Sequence, residues 1–198
     1  MDFKIAIEHL EPVYSLWLIY EYINASRFQR GGIAYTNIGN PRVRRILSRY
    51  GYVYKERIGD IVDKERLIIL DPNAEKDIEY NEIGDKILVI GGILGDNPPR
   101  GRTEKLLWSR YRGAIRRRMG IGQMSIDSSV YVASKILEGY SLNDIDFIEG
   151  LTIETDLDVI ILPYRYPLEN GEPIISPVIR KIIQFIGLFH EYWLRTIE

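Results

Sequence analysis

Cysteine is absent from the 198-residue chain, and histidine occurs only twice, as His9 and His190. The first absence excludes a disulfide framework, a thiolate nucleophile and a cysteine-based zinc site. The second leaves no pair of histidines at metal-ligand spacing, so no metal is expected, and no serine lies in a motif that would assemble a nucleophilic triad. There is no G-x-x-x-x-G-K-[ST] phosphate loop and no G-x-G-x-x-G dinucleotide fingerprint. The apolar runs fall well short of the roughly 20 residues that span a bilayer, although 182–194 is apolar enough to notice. The opening residues Asp2-Phe3-Lys4 do not resemble a secretion signal, so a cytoplasmic protein with no membrane partner is expected. Internal repeats and low-complexity stretches are missing too.

What remains is ordinary in bulk and uneven in detail. A composition of 45% hydrophobic and 27% charged residues is that of a folded globular protein, and the length suits one core, read here as a single domain over 1–198. The net charge of -2 conceals a sorting of charge along the chain. Arg100, Arg102, Lys105, Arg110, Arg112, Arg116, Arg117 and Arg118 face the single acid Glu104, and Arg42, Arg44, Arg45 and Arg49 form a second basic group. Between Glu138 and Asp158 every charged residue is acidic. Such a distribution steers a charged macromolecule onto one face.

Periodicity supplies the elements. Phe3 to Ile7 alternates as a strand, and Glu11-Pro12 opens a helix to about Arg27. Ile33 to Ile38 reads as a strand, and Asn40-Pro41 starts a helix carrying the second basic group. Arg66 to Leu70 and Lys86 to Ile90 read as strands with continuous apolar runs, the pattern of strands buried on both faces in a parallel sheet. Thr103 to about Tyr111 reads as a helix, Ala114 to Met119 as a strand, and Ser125 to Leu137 as a helix with Asp127 and Ser128 in its first turn. The remainder reads as strands near Asp146 to Ile148 and Val159 to Leu162, a turn region from Pro163 to Pro177, and a helix from Pro177 onward.

Ligands of open parallel sheets lie beyond the carboxyl ends of the strands, which selects three turns. They are Asp71-Pro72-Asn73-Ala74, the loop Gly91-Gly92-Ile93-Leu94-Gly95-Asp96-Asn97-Pro98-Pro99-Arg100-Gly101-Arg102-Thr103, and Met119-Gly120-Ile121-Gly122-Gln123-Met124-Ser125. From the residues alone they are either three ordinary strand-to-helix turns or the walls of a nucleotide-like site.

Five segments occur in a telling order: Ile7-Glu8-His9-Leu10-Glu11; Leu70-Asp71-Pro72; Gly91 to Asp96 with Pro98-Pro99-Arg100 and Arg102-Thr103; Gly122-Gln123-Met124-Ser125 with Asp127; and Pro163-Tyr164-Arg165-Tyr166. This order resembles a SPOUT-superfamily methyltransferase family, the archaeal-type relatives of the eukaryotic enzyme that methylates arginine in a ribosomal protein. The resemblance spans nearly the whole chain. It implies an α/β fold, a parallel sheet flanked by helices with a C-terminal deep trefoil knot, which is an exception to the rule that chains do not thread loops. It also implies S-adenosylmethionine as cofactor.

On that resemblance Leu70, Gly91, Gly92, Met119 and Gly120 would surround adenine and ribose, with Asp71, Pro72 and Ile93 in the same loops. Leu94, Gly95, Gln123 and Met124 would close around the methionine part. Asp96 would hold the ligand or orient the acceptor, and Asp96 and Glu8 are the expected catalytic carboxylates, since a guanidinium acceptor must be gripped and deprotonated. Arg100, Arg102 and Glu11 are expected on the substrate side; Glu8 and Glu11 at a helix start, and the two arginines as a solvated face, are the competing readings. Asn97 stands where eukaryotic members carry His, and Gly101 where they carry Asp, so no role passes to those two. A ribosomal protein or an RNA would be the partner, with a non-catalytic binding module as a third reading. The apolar last helix packs in the core or meets a second subunit, so monomer and homodimer both remain open.

Overall fold

The computed structural model describes residues 2–29, 31–155, 158–186 and 197. Six parallel strands form the main sheet: β1 (Ile5–His9), β2 (Ile33–Thr36), β3 (Tyr52–Val53), β4 (Leu67–Leu70), β5 (Ile87–Gly92) and β6 (Ile115–Arg117), in spatial order β3-β2-β1-β5-β4-β6. Every residue of β1, β2 and β4 is buried, as their unalternating sequences require. Successive side chains point to opposite faces. Ile5, Ile7, Ile68, Leu70, Leu88 and Ile90 meet α1 (Leu16–Ala25), α2 (Pro41–Leu47) and α4 (Ile126–Leu137) on one face. Ala6, Ile69, Ile87 and Val89 meet Ile58, Leu107 and Tyr111 on the other, where α3 (Arg102–Leu106) and short 3-10 turns provide the cover.

Helix ends follow the residues that can cap them. Asn40 accepts from Arg42 N and Val43 N ahead of Pro41, and Ser125 accepts from Ser128 N ahead of α4. The first helix starts later than its periodicity suggests. Ser15 is the extended residue whose hydroxyl accepts from Leu18 N, so α1 begins at Leu16 and Glu11 to Val13 form a bend instead. The expected helix near 103–111 is shortened to α3 followed by a 3-10 turn, Trp108–Arg110.

The strands read near Asp146 to Ile148 and Val159 to Leu162 are parts of a second sheet longer than the sequence pattern suggests. β7 (Phe147–Glu154) and β8 (Val159–Glu169) pair antiparallel, and β9 (Glu172–Pro173) adds to β8 after the turn at Asn170-Gly171. Pro163 and Pro167 suggested a turn region, yet β8 runs through both. Pro163 has no register partner, because it stands opposite the bulge between Glu149 and Leu151, so its missing N–H costs no ladder bond. Leu151, Ile153, Leu162 and Tyr166 pack against Ile179 and Ile183 of α5 (Pro177–Ile186), with Trp17 and Tyr20 of α1 at the border. The part of the expected last helix at 187–196 lies outside the described residues; Ile197 is seated, its N–H donating to Tyr14 O (3.1 Å) and its carbonyl accepting from Asn40 Nδ2 (3.1 Å). Among the described residues no helix is long and apolar enough to cross a membrane.

Leu88 on central β5 is fully buried and Ile161 on β8 is 65% exposed. Leu88→Ala should lower stability by about 2–5 kcal/mol and Ile161→Ala by no more than about 0.5 kcal/mol, read from urea denaturation midpoints.

Candidate functional site

Strand order brings the three turns together. β5 lies between β1 and β4, with Leu70 beside Ile90 and Ile7 on the other side of Ile90, and β6 lies outside β4. The turns leaving β4, β5 and β6 therefore meet at one edge and enclose a cavity of about 370 Å³. Leu70, Asp71 and Pro72, then Gly91 and Ile93 to Asp96, then Met119 to Met124 line it, joined by Arg100, Arg102 and, from α4, Ile126 and Ser129. Its size falls in the range of small-ligand pockets, and Leu94, Met119, Ile121 and Met124 make its wall largely apolar.

Cross-links hold the turns in place. Asp71 N donates to Arg117 O (2.8 Å), and Ile78 N to Arg118 O (2.9 Å). Gln123 Nε2 donates to Asp96 O (2.8 Å), Arg165 N to Gln123 O (2.8 Å), and Tyr164 Oη to Gly95 O (2.8 Å). β8 thus ties the second and third turns into one wall. Gly120 sits at φ +79°, where a side chain is strained, and a Cβ on Gly95 would come within 2.5 Å of the Tyr164 ring. The Asn97–Pro98 bond in the second turn is cis.

Beside the cavity a single cation is shared by two acids. Arg102 donates from Nε to Asp96 Oδ2 (2.7 Å), from Nη1 to Glu11 Oε1 (2.9 Å), and from Nη2 to Leu94 O. Glu11 also accepts from Leu94 N (2.8 Å), which explains why the chain bends before α1. Glu11 is therefore a loop clamp and not a helix-end charge, and Arg102 is already committed. Arg100 is exposed at the cavity mouth, its carbonyl accepting from Lys105 Nζ (3.0 Å). The last three arginines of the run are neutralised from within: Arg116 pairs with Asp71 (2.7 Å) and Glu104 (3.2 Å), Arg117 with Glu82, and Arg118 with Asp77 (2.8 Å).

Two expected residues lie elsewhere, both because of strand alternation. Glu8 points to the opposite face of the sheet from Ile7. It is fully buried and accepts from Arg57 Nη1 (3.0 Å), Ile58 N (3.0 Å) and Tyr111 Oη (2.6 Å), so it anchors the cover of that face. Gly92 faces α1 instead of the cavity, and its missing side chain makes room for the Tyr22 hydroxyl. That hydroxyl shares a hydrogen bond with His9 Nδ1 (3.1 Å). Burial holds the His9 imidazole down at about 4.

A sequence model of the SFM1-like protein arginine N-methyltransferases matches residues 4–185, which include all three turns, α1 and β8. The chain belongs to this family. It is 29% identical to protein arginine N-methyltransferase SFM1 of Saccharomyces cerevisiae over 191 residues, 87% of this chain and 90% of that protein. The crystal structure of the yeast arginine methyltransferase SFM1 complexed with SAM superimposes with a TM-score of 0.82 at 27% identity, covering 93% of this chain and 91% of that one; the complex with SAH gives 0.80 at 27% identity, covering 91% and 94%. Trm10 from Thermococcus kodakaraensis shares the fold, with a TM-score of 0.56 at 20% identity over 72% of this chain and 96% of that one.

Within this SFM1-like framework one acid next to the cavity was missed by sequence reading. Glu21 of α1 accepts from Trp17 Nε1 (2.6 Å) and from Ile126 N (2.8 Å) at the start of α4. Asp127, beside it, accepts from Asn24 Nδ2 (2.8 Å), Ser125 Oγ (2.5 Å) and Ser128 N (2.9 Å). Burial, with the charge of Asp127 adding to it, pushes Glu21 up to about 8, and burial raises Asp127 as well. The signal was present: Glu21 interrupts the apolar face formed by Leu18, Tyr22 and Ala25.

Glu8→Gln should cost about 3 kcal/mol in urea unfolding, because it leaves Arg57 and the Tyr111 hydroxyl without their buried anion. His9 gives a pH dependence of known sign. Its folded value lies below the unfolded value of about 6.5, so its contribution to stability is present above that pH and is lost as pH falls towards about 4. Wild type minus His9→Gln, compared as denaturation midpoints across that window, should show this slope.

Proposed function

We propose that this chain is an S-adenosylmethionine-dependent methyltransferase acting on an arginine side chain of a ribosomal protein. The observation that carries the reading is the convergence of the three turns on one apolar cavity inside the stretch matched by the arginine methyltransferase family. The donor set fits the cofactor: apolar walls suit an adenine ring and a thioether chain, and Gly91 and Gly95 expose backbone to it. In this reading Leu70, Pro72, Met119 and Gly120 hold the adenosine part, while Ile93, Leu94, Gly95, Gln123 and Met124 enclose the methionine part. Asp71 sets the shape of its turn through Arg116. When bound, the sulfonium supplies an activated methyl group. The work of the protein is to align the acceptor nitrogen, exclude water and provide a fitting field. The Glu11–Arg102–Asp96 cluster carries one cation against two carboxylates, so its net charge of about -1 turns a cationic acceptor towards the cavity.

The charge map supports a basic polypeptide as acceptor. Glu138, Asp144, Asp146, Glu149, Glu154 and Asp158 are all exposed, and within the run from Arg100 to Arg118 the side chains of Arg102, Arg116, Arg117 and Arg118 are paired internally. Arg100, Lys105, Arg110 and Arg112 remain exposed and suit the RNA-rich surface of a ribosomal particle. The finer topology belongs to the same proposal. The segment after β6 is held by Lys76 O and Ile78 N on either side of Arg118, and α4 then packs back on β1 and β5, as a trefoil knot through the 71–86 loop would have it.

Calorimetry should detect binding of S-adenosylmethionine and of S-adenosylhomocysteine. Ser129→Trp, placed on the cavity wall, should weaken both at least about tenfold. Radiolabelled methyl groups offered with ribosomal protein and with stripped RNA should enter material that survives nuclease and is lost to protease. The opposite pattern would move the acceptor to RNA, and no cofactor binding would end the enzyme reading.

A further inference from the structure

Methylating a guanidinium requires a base, because the group is cationic, offers only donors and keeps its proton to a pKa above about 12. The carboxyls around the cavity differ in what they have left to offer. Glu11 and Asp96 share Arg102, and Glu8 is on the far face of the sheet. Asp127 is fully buried under Asn24, Ser125 and the Ser128 amide. Glu21 is different. It is 5% exposed, accepts one hydrogen bond at each oxygen, and among the described residues pairs with no cation. About two of its four lone-pair positions therefore remain open.

Glu21 stands one residue behind the cavity lining. Ile126, whose amide it accepts, forms part of the cavity wall. Across from α1, Tyr164 bonds the carbonyl of Gly95 at the rim and lies within electrostatic reach of both Glu21 and Asp96. Trp17 and Tyr164, both partly buried, pack beside Tyr166 on the core between α1 and β8 and place aromatic rings next to Glu21. The titratable groups acting on Glu21 or acted on by it are Asp127 of α4, Tyr164 and Tyr166 of β8, and Tyr22 of its own helix. None of these is a cation, so among the described residues an incoming guanidinium would be the first beside Glu21.

Resting on the methyltransferase reading above, we infer that Glu21 is the residue that receives the acceptor guanidinium and takes its proton, with Trp17 and Tyr164 flanking it. Arrival of the cation favours the ionised carboxyl, so Glu21 gives up its proton as the acceptor binds. In the transfer the reacting nitrogen forms its bond to the methyl carbon, the carbon–sulfur electron pair stays with sulfur, and the proton leaving that nitrogen goes to Glu21. The product is a methylguanidinium beside a neutral acid. A carboxyl raised by burial is a stronger base than an exposed one, which suits this step.

Glu21→Gln keeps the shape of the protonated acid and an acceptor oxygen but cannot take a proton. Its affinity for S-adenosylhomocysteine, by calorimetry, should stay within about threefold of wild type, while methyl transfer to a ribosomal-protein fraction should fall by about 10²–10⁴-fold. The rising limb of the wild-type pH profile of kcat/KM should move in Glu21→Asp, which keeps part of the activity. Turnover of Glu21→Gln within about threefold of wild type, an unmoved limb in Glu21→Asp, or loss of S-adenosylhomocysteine binding together with turnover would each overturn the assignment. A wild-type protein that binds S-adenosylhomocysteine yet labels no protein would instead overturn the acceptor reading beneath it.

Discussion

The lateral hydrogen bonds that seat β5 between β1 and β4 are the constraint on which the rest of the site depends. Only in that order do Leu70 and Ile90 end side by side, so that the turns after β4 and β5 open at the same level and the turn after β6 reaches them from beyond β4. A shift of one residue would send Ile90 to the face of Val89 and reverse every contact with α1 and α4. Burial of both faces makes that shift too costly, since each strand would exchange a matched apolar neighbour for a misfit on two sides. The cavity is thus a by-product of a register held by the core.

Electrostatics around the cavity follows from how few acids are left unspent. Most carboxylates here have a structural duty: Glu8 holds the Arg57–Ile58 turn, Asp71 holds Arg116, and Glu11 and Asp96 share Arg102. In a poorly hydrated setting a carboxylate with a cation is satisfied, and one without must be neutral or await a partner. Glu21 and Asp127 stand on that second side. The same logic explains why the run from Arg100 to Arg118 looks more basic in sequence than it is in space. Its cations were counted along the chain, but Asp71, Asp77 and Glu82 meet them from other segments.

Much of the main sheet was legible because parallel strands covered by helices need apolar residues on both sides, and Leu67 to Leu70 and Ile87 to Ile90 contain nothing else. The three turns were legible for a related reason, since glycines and prolines mark where such strands must stop. The second sheet was legible only at the starts of its two long strands, near Phe147 and Val159. Val159 to Glu169 carries two prolines and exposes Val159 and Ile161, and only its pairing with β7 across the Gly150 bulge makes it a strand. The expected roles of Glu8 and Gly92 failed to meet the cavity for want of one fact, the face to which each strand position points.

The sequence by itself determined the class of fold, the three turns that line the cavity and the family pattern that runs through them, because these depend on local composition and order. Tertiary structure alone decided which charged groups remain available. Pairing of Arg102 with Glu11 spans 91 residues, that of Asn24 with Asp127 spans 103, and that of Ile126 with Glu21 spans 105. Side-chain direction and the partners met across such distances come from packing, and no window along the chain contains them.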